Sequence, residues 1–338
     1  MRTFWNITEV VSSYWGMYAV QSVLHSAIAA VLVDGALLAW NVRTPRVRQL
    51  FRFTVILVPV VSFPVYQAVF PRRGDAFFRL DSLVDSNRWF FLELWSGVPL
   101  FVLFVAGLAV VTLAFVVQEL LPVVSSLIGH VRGGGESEAE PVETGVSLKV
   151  AKAIESLPLP EDSIEIVHDE DLMLFSSTGL NPRIYVSTGL VDSFSVEHLQ
   201  VAIAHEIGHI QRSRRPILIL AYVLRVFMFF NPVAMIEFRR LAQEEEKVCD
   251  DIAVSLTGDA KALAEAIEML RPSPEEYHIE SGSRSVGNVA SAIEQYSHDV
   301  LLKARILRLG QNAARDALWG IPYIVTLALI VSINYFVV

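Results

Sequence analysis

The sequence predicts an α+β protein: a multi-pass α-helical membrane part joined to a mainly helical domain that carries a small β-sheet. Three observations carry that expectation. Hydrophobic residues make up 53% of the 338 positions and mean hydropathy is +0.46, far from an ordinary soluble domain. The segment around His205-Glu206-Ile207-Gly208-His209 keeps apolar residues at helical spacing. Shortly before it, Arg183-Ile184-Tyr185-Val186-Ser187 is rich in strand-forming residues and reads as a short strand.

A helix crosses a bilayer with about 20 mostly apolar residues. Met17 to Trp40, Phe53 to Phe70, Ser96 to Val117 and Leu318 to Val338 are the segments that approach this. They divide the chain into a membrane domain over 1–120 with helices at 17–40, 53–70 and 96–117, a linker over 121–147, a domain over 148–316, and a last membrane helix over 317–338. The linker is expected from Gly133, Gly134 and Gly135 with Glu136, Glu138, Glu140 and Glu143. The N-terminus lacks the basic region and small-residue cleavage site of a signal peptide, so the first span is expected to stay as an anchor. That span carries His25 and Asp34, either a buried pair or a signalling element, though nine residues apart they need not touch.

Orientation follows from the basic residues. Arg43, Arg46, Arg48 and Arg52 stand between the first two spans with no acidic residue among them, and short basic loops favour the cytoplasmic side. Arg72 and Arg73 in the next loop compete with that signal. The expected location is therefore the inner, cytoplasmic membrane, with the domain over 148–316 facing the cytoplasm. The net charge of −9, without a basic patch interleaved with aromatics, excludes a direct nucleic-acid partner as a class.

Residues four apart in a helix share a face, so His205 and His209 converge on one cation while Glu206 reaches its water. The alternative is two surface histidines on an amphipathic helix, and context must decide. Ser195 is an N-cap candidate, and Val196, Leu199, Ile203, Ile207 and Ile210 cluster opposite the histidines. Gly208 costs about 1 kcal/mol against alanine in a helix, so something is expected to come close there.

A catalytic zinc takes three protein ligands and leaves a position for water. The run Gln243-Glu244-Glu245-Glu246-Lys247-Val248-Cys249-Asp250-Asp251 supplies the third. Glu246 and Asp250 share a face, which lets Glu246 bind the metal while Asp250 orients a ligand histidine through its other ring nitrogen. Glu244 and Glu245 read as a solvated acidic face. Cys249, the one cysteine of the chain, precludes intramolecular disulfides and is expected to pack rather than to ligate.

Ala204-His205-Glu206-Ile207-Gly208-His209-Ile210, then Phe230-Asn231-Pro232, then Glu246-x-x-Cys249-Asp250 resembles the BlaR/MecR-type membrane metallopeptidases. The stretches Pro182 to Ser187 and Leu302-Lys303-Ala304-Arg305-Ile306 extend the resemblance to about residues 165–310. It implies a gluzincin domain: one zinc held by His205, His209 and Glu246, Glu206 as general base, and Asp250 behind a ligand. It also implies that Arg183, Ile184, Tyr185, Val186 and Ser187 form an exposed edge strand that holds an extended substrate. None of the five lysines has a serine three residues earlier, so the Ser-x-x-Lys motif of a penicillin-binding sensor is absent from this sequence.

The implied activity is zinc-dependent endopeptidase cleavage of a cytoplasmic or membrane-proximal protein in signal transduction, with a transcriptional repressor or the chain itself as substrate. Two alternatives stay open, a membrane quality-control metalloprotease and a non-catalytic zinc-binding receptor. Expected partners are the protein substrate, the lipid bilayer and a second copy of the chain. The oxyanion donor is open among Tyr222, Tyr277, His278, Tyr296 and His298. Between the two halves of the site, 216–230 is apolar but spans only about 22 Å as a helix, and a crossing there would separate the ligands across the membrane. An interfacial or partly inserted helix is expected, with a helix buried in a soluble core the competing reading. Pro272 to Gly287 reads as a flexible loop.

Overall fold

The computed structural model of the protein describes residues 13–75, 92–95, 98–117, 121, 144–159, 163–177, 181–212, 216–270, 300–310 and 319–337. The chain divides into two units, one formed by Met1–Glu136, Pro216–Glu244 and Ala314–Val338, the other by Ser137–Arg215 and Glu245–Ala313. Most of the expected linker, together with Tyr277, His278, Tyr296, His298 and the loop over 272–287, lies outside the described residues.

In the first unit, α1 (Tyr14–Ala39) starts at Ser13, whose hydroxyl accepts from the Gly16 amide at 3.2 Å. It ends in a tight turn where Asn41 takes a positive φ of 50°, a conformation asparagine tolerates better than most residues. Pro45 then opens α2 (Pro45–Val69) at the first-turn position where proline costs nothing. Ala29, Val33 and Leu37 of α1 interlock with Val47, Phe51 and Val55 of α2 and with Ile330 of α11 (Gly320–Tyr335). Phe101, on α3 (Leu100–Phe115), docks on Val20.

Among the described residues two helices, α1 and α2, are long and apolar enough to cross a membrane. Within the other two expected spans the described residues form the apolar helices α3 and α11, of 16 residues each. Helix α2 begins eight residues before the expected span, because Thr44 and Pro45 set its start and Arg48 and Arg52 lie within it rather than in a loop.

Several charged and polar groups of this unit pair across distant segments. Arg52 pairs with Asp34 at 2.6 Å and with Glu237 at 3.0 Å, and Arg240 joins both acids at 3.1 and 2.7 Å. Arg48 binds Glu244 at 2.8 Å. His25 and Asp34 do not pair: His25 Nδ1 lies 2.8 Å from Ser62 Oγ. The apolar segment after residue 215 forms α7 (Pro216–Phe227), whose Ala221 and Leu224 pack on Phe53 and Ile56. By its contacts α7 belongs with this unit, although the sequence division had placed 216–230 inside the domain over 148–316.

The first unit holds the pair β1 (Glu93–Trp95) and β2 (Val98–Pro99), and the second unit a three-stranded sheet of order β3-β5-β4, where β3 is Ile164–Val167, β4 is Leu174–Ser176 and β5 is Ile184–Ser187. Helix α4 (Thr144–Ile154), the short α5 (Thr188–Ser193), α6 (Val196–Arg212), α9 (Ala260–Met269) and helical residues 300–309 (α10) complete it, with α8 (Pro232–Thr257) entering from the first unit. Ser187 ends β5 and caps α5, its hydroxyl accepting from the Leu190 amide at 3.1 Å. The core gathers Ile184 and Val186 of the sheet, Leu199 and Ile203 of α6 and Leu263 of α9.

The expected edge strand is corrected here. β5 is the central strand, parallel to β3 on one side and antiparallel to β4 on the other. Its ladder groups are taken up on both sides, and Ile184 and Val186 are fully buried. Among the described residues the edges are β3 and β4.

Candidate metal centre

Helix α6 carries the pentapeptide on the expected face. Ser195 Oγ accepts from the His198 amide at 3.1 Å as its cap, and Leu199, Ile203 and Ile207 are buried against the core. His205, Glu206 and His209 emerge half-buried on the other side.

Opposite them, α8 brings up Glu246. His205 Nε2 and His209 Nε2 stand 3.2 Å apart, and each lies 3.5 Å from a Glu246 carboxylate oxygen. Among the described residues these three form the group that could hold a metal ion. A tetrahedral cation with bonds of about 2.0–2.1 Å sets its donors about 3.3 Å apart, so the spacing of the two histidines fits zinc, and one donor atom from each of the three residues lies within 4.8 Å of the others. Two imidazoles and a carboxylate are also the donor chemistry that zinc takes in hydrolytic sites.

Support comes from behind. Asp250, with no exposed surface, places Oδ1 3.2 Å from His205 Nδ1, an ion-pair contact outside good hydrogen-bond alignment. Arg305 of α10 grips both carboxylates: Nε and Nη2 donate to Asp250 at 2.9 and 2.6 Å, and Nη1 lies 3.1 Å from Glu246. Burial would lower the basicity of His205, but Asp250 and Glu246 outweigh it and raise its pKa to about 9. Burial would raise Asp250, yet His205 and Arg305 hold it down to about 2. Glu246 is likewise lowered, burial being outweighed by His205 and Arg305.

Gly208 is where α6 and α8 touch. A Cβ there would meet the Cys249 Cα at 3.1 Å, which accounts for a glycine inside the helix. Cys249 is fully buried, with Sγ 3.5 Å from His209 Nδ1, and burial first and the neighbouring acids next push its thiol pKa up. A protonated thiol in that position packs against the histidine from the side opposite its Nε2.

The acidic run is not the solvated face that its sequence suggests. Glu245 is 8% exposed and forms a two-pronged ion pair with Arg212, while Glu244 is 4% exposed and paired with Arg48. Their partners lie far off in sequence, so local patterning could not reveal them.

Beside the three donors opens a cavity of about 260 Å³ whose polar wall is His205, Glu206, His209, Glu246 and Arg305. Leu174 of β4, Leu263 and Ile267 of α9, Leu270 just after it, and Leu302 form its apolar wall. The residues Arg183 to Ser187 do not line it. Tyr222, the one described oxyanion candidate, is half exposed on α7 in the other unit. Arg305 was missed as a site residue; its place in the Leu302 to Ile306 stretch was the available signal.

No curated protein matches the chain. A family profile described as BlaR1 peptidase M56 matches residues 87–286, well over half of the sequence and including every residue of the His205, His209 and Glu246 group. A chain with that match and this arrangement of donors belongs to the BlaR1 M56 peptidase family.

Proposed function

We propose that the protein is a membrane-embedded zinc endopeptidase that faces the cytoplasm and cleaves a cytoplasmic or membrane-proximal protein as a step in signal transduction. The observation that carries this reading is the convergence of the His205, His209 and Glu246 donors, with Glu206 on the wall of the same cavity. A purely structural metal site has no use for that carboxylate.

When bound there, zinc lowers the pKa of a water molecule toward 7 and polarises the scissile carbonyl. Glu206 takes the proton from the attacking water and passes it to the leaving amine. Asp250 would hold His205 through Nδ1 and so leave its Nε2 free to bind the ion, and Arg305 holds Asp250 and Glu246 together. The leucine-rich wall of the cavity suits an apolar substrate side chain and sheds water from the reacting atoms. Since β5 is central, β4 is the strand that would accept an extended peptide, with Leu174 on the cavity wall.

Expression in membranes beside candidate repressors tests this reading, parent against Glu206→Gln. Cleavage of a repressor or of the chain itself by the parent alone supports it. Equal processing by both proteins removes it.

A further inference from the structure

The segment that joins the two halves of the metal centre has its polarity turned inside out. On α7 the exposed side chains are Ile219, Leu220, Tyr222, Val223, Val226 and Phe227. Its one charged residue, Arg225, is instead 6% exposed, 4.5 Å over the Phe238 ring and 6.0 Å from that of Phe115. Water would favour the reverse, with the cation outside and the leucine, valine and phenylalanine side chains inside. Hydrocarbon favours what is seen.

The turn after α7 reaches far along α1. Asn231, fully buried, donates from Nδ2 to Ser26 Oγ at 2.7 Å and to the Ser22 carbonyl at 3.3 Å. Its Oδ1 accepts from the Val233 and Ala234 amides and so caps the returning helix. Tyr18 reaches Met228 Sδ at 3.7 Å beside it. Depth can be read from helix rise. Glu244 pairs with Arg48 in the first turn of α2, and Asn231 lies thirteen residues before it, about 20 Å of helix. Along α1, Ser26 lies thirteen residues before the end at Ala39, again about 20 Å. The two measures agree, and the charged contacts Arg240–Asp34 and Arg52–Glu237 fall between these levels.

We propose that residues 216–244 form a re-entrant helical hairpin whose outer α7 face contacts lipid acyl chains, its tip at Met228 to Asn231 about two-thirds of the way through a hydrocarbon core of roughly 30 Å. The hairpin enters and leaves at the same end of the α1–α2 pair, so the chain returns to that end before reaching Glu246. This rests on the reading of α1 and α2 as membrane spans. The apolar side chains exposed on those helices, Val31, Leu38, Val61, Val65 and Val69 among them, would meet the same lipid.

The test uses the full chain with Cys249→Ser and a single cysteine introduced by Val223→Cys or Phe227→Cys, with Val226→Cys replacing either variant if it does not reconstitute. Val61→Cys on α2 and Lys261→Cys on α9 are the lipid and water references. Each is labelled with bimane and placed in phosphatidylcholine vesicles, with bromine on the acyl chains or iodide in the buffer. The expected result is loss of bimane intensity in brominated lipid and none with iodide at 223 and 227, matching 61 and opposite to 261. Quenching by iodide at 223 and 227 while 61 responds to brominated lipid overturns the hairpin and leaves the spans standing. Quenching by iodide at 61 as well overturns the membrane reading and the hairpin with it.

Discussion

Gly208 and Cys249 meet at backbone contact: a Cβ on Gly208 would stand 3.1 Å from the Cys249 Cα, 3.2 Å from its Cβ and 3.3 Å from its carbonyl oxygen. Three of the proposed site residues flank this contact on α6, and two flank it on α8. Local helix propensity favours Gly208→Ala by about 1 kcal/mol. The buried α8 backbone cannot yield cheaply, so we expect a net destabilisation of about 1–3 kcal/mol and weaker metal retention. Thermal unfolding and metal content of the purified variant check both.

Arg305 is the counter-charge of a fully buried Asp250. Arg305→Met leaves that carboxylate with His205 alone in the metal-free protein and should destabilise it by about 2 kcal/mol. Arg305→Lys should recover only part of the loss, since an ammonium cannot repeat the two-pronged grip. Unfolding of both variants in the presence of a chelator measures the difference.

Protonation of His205 gives the metal-free protein a pH signature. Its folded pKa is raised from 6.5 to about 9, so the stabilisation is complete below pH 6.5 and is lost as pH rises through about 9. Melting temperature with chelator should fall across that window, and Asp250→Asn should flatten the decline. Zinc binding near neutral pH must displace the same proton. Calorimetry in buffers of different ionisation enthalpy should detect its release in the parent and less of it in Asp250→Asn.

The apolar wall makes the cavity selective. Leu270→Ala removes packing from a partly exposed lining position. For a peptide whose side chain fills the cavity, kcat/KM should fall about tenfold, while a peptide with alanine there should change little. A matched pair of fluorogenic peptides reads the ratio directly.

Helix periodicity made α6 legible, down to its cap at Ser195 and the opposed faces of Ile203 and His205. The i, i+4 relation made Glu246 and Asp250 legible as a pair on α8. What escaped is tertiary. Glu244 and Glu245 look solvated until Arg48 and Arg212 arrive from elsewhere in the chain. Arg305 reaches Asp250 across 55 residues. The central position of β5 depends on two short neighbours, β3 and β4, whose pairing no local pattern announces.

The central claim, that His205, His209 and Glu246 together hold one zinc, is tested most directly by zinc X-ray absorption on the purified parent with metal content measured in parallel. The account predicts one zinc per chain, bound by two imidazole nitrogens and oxygen at about 2.0–2.2 Å with no sulfur, and loss of that zinc in Glu246→Ala. A sulfur neighbour at about 2.3 Å, which Cys249 alone would supply in place of Glu246, or a parent purified without zinc that fails to take it up, would contradict it.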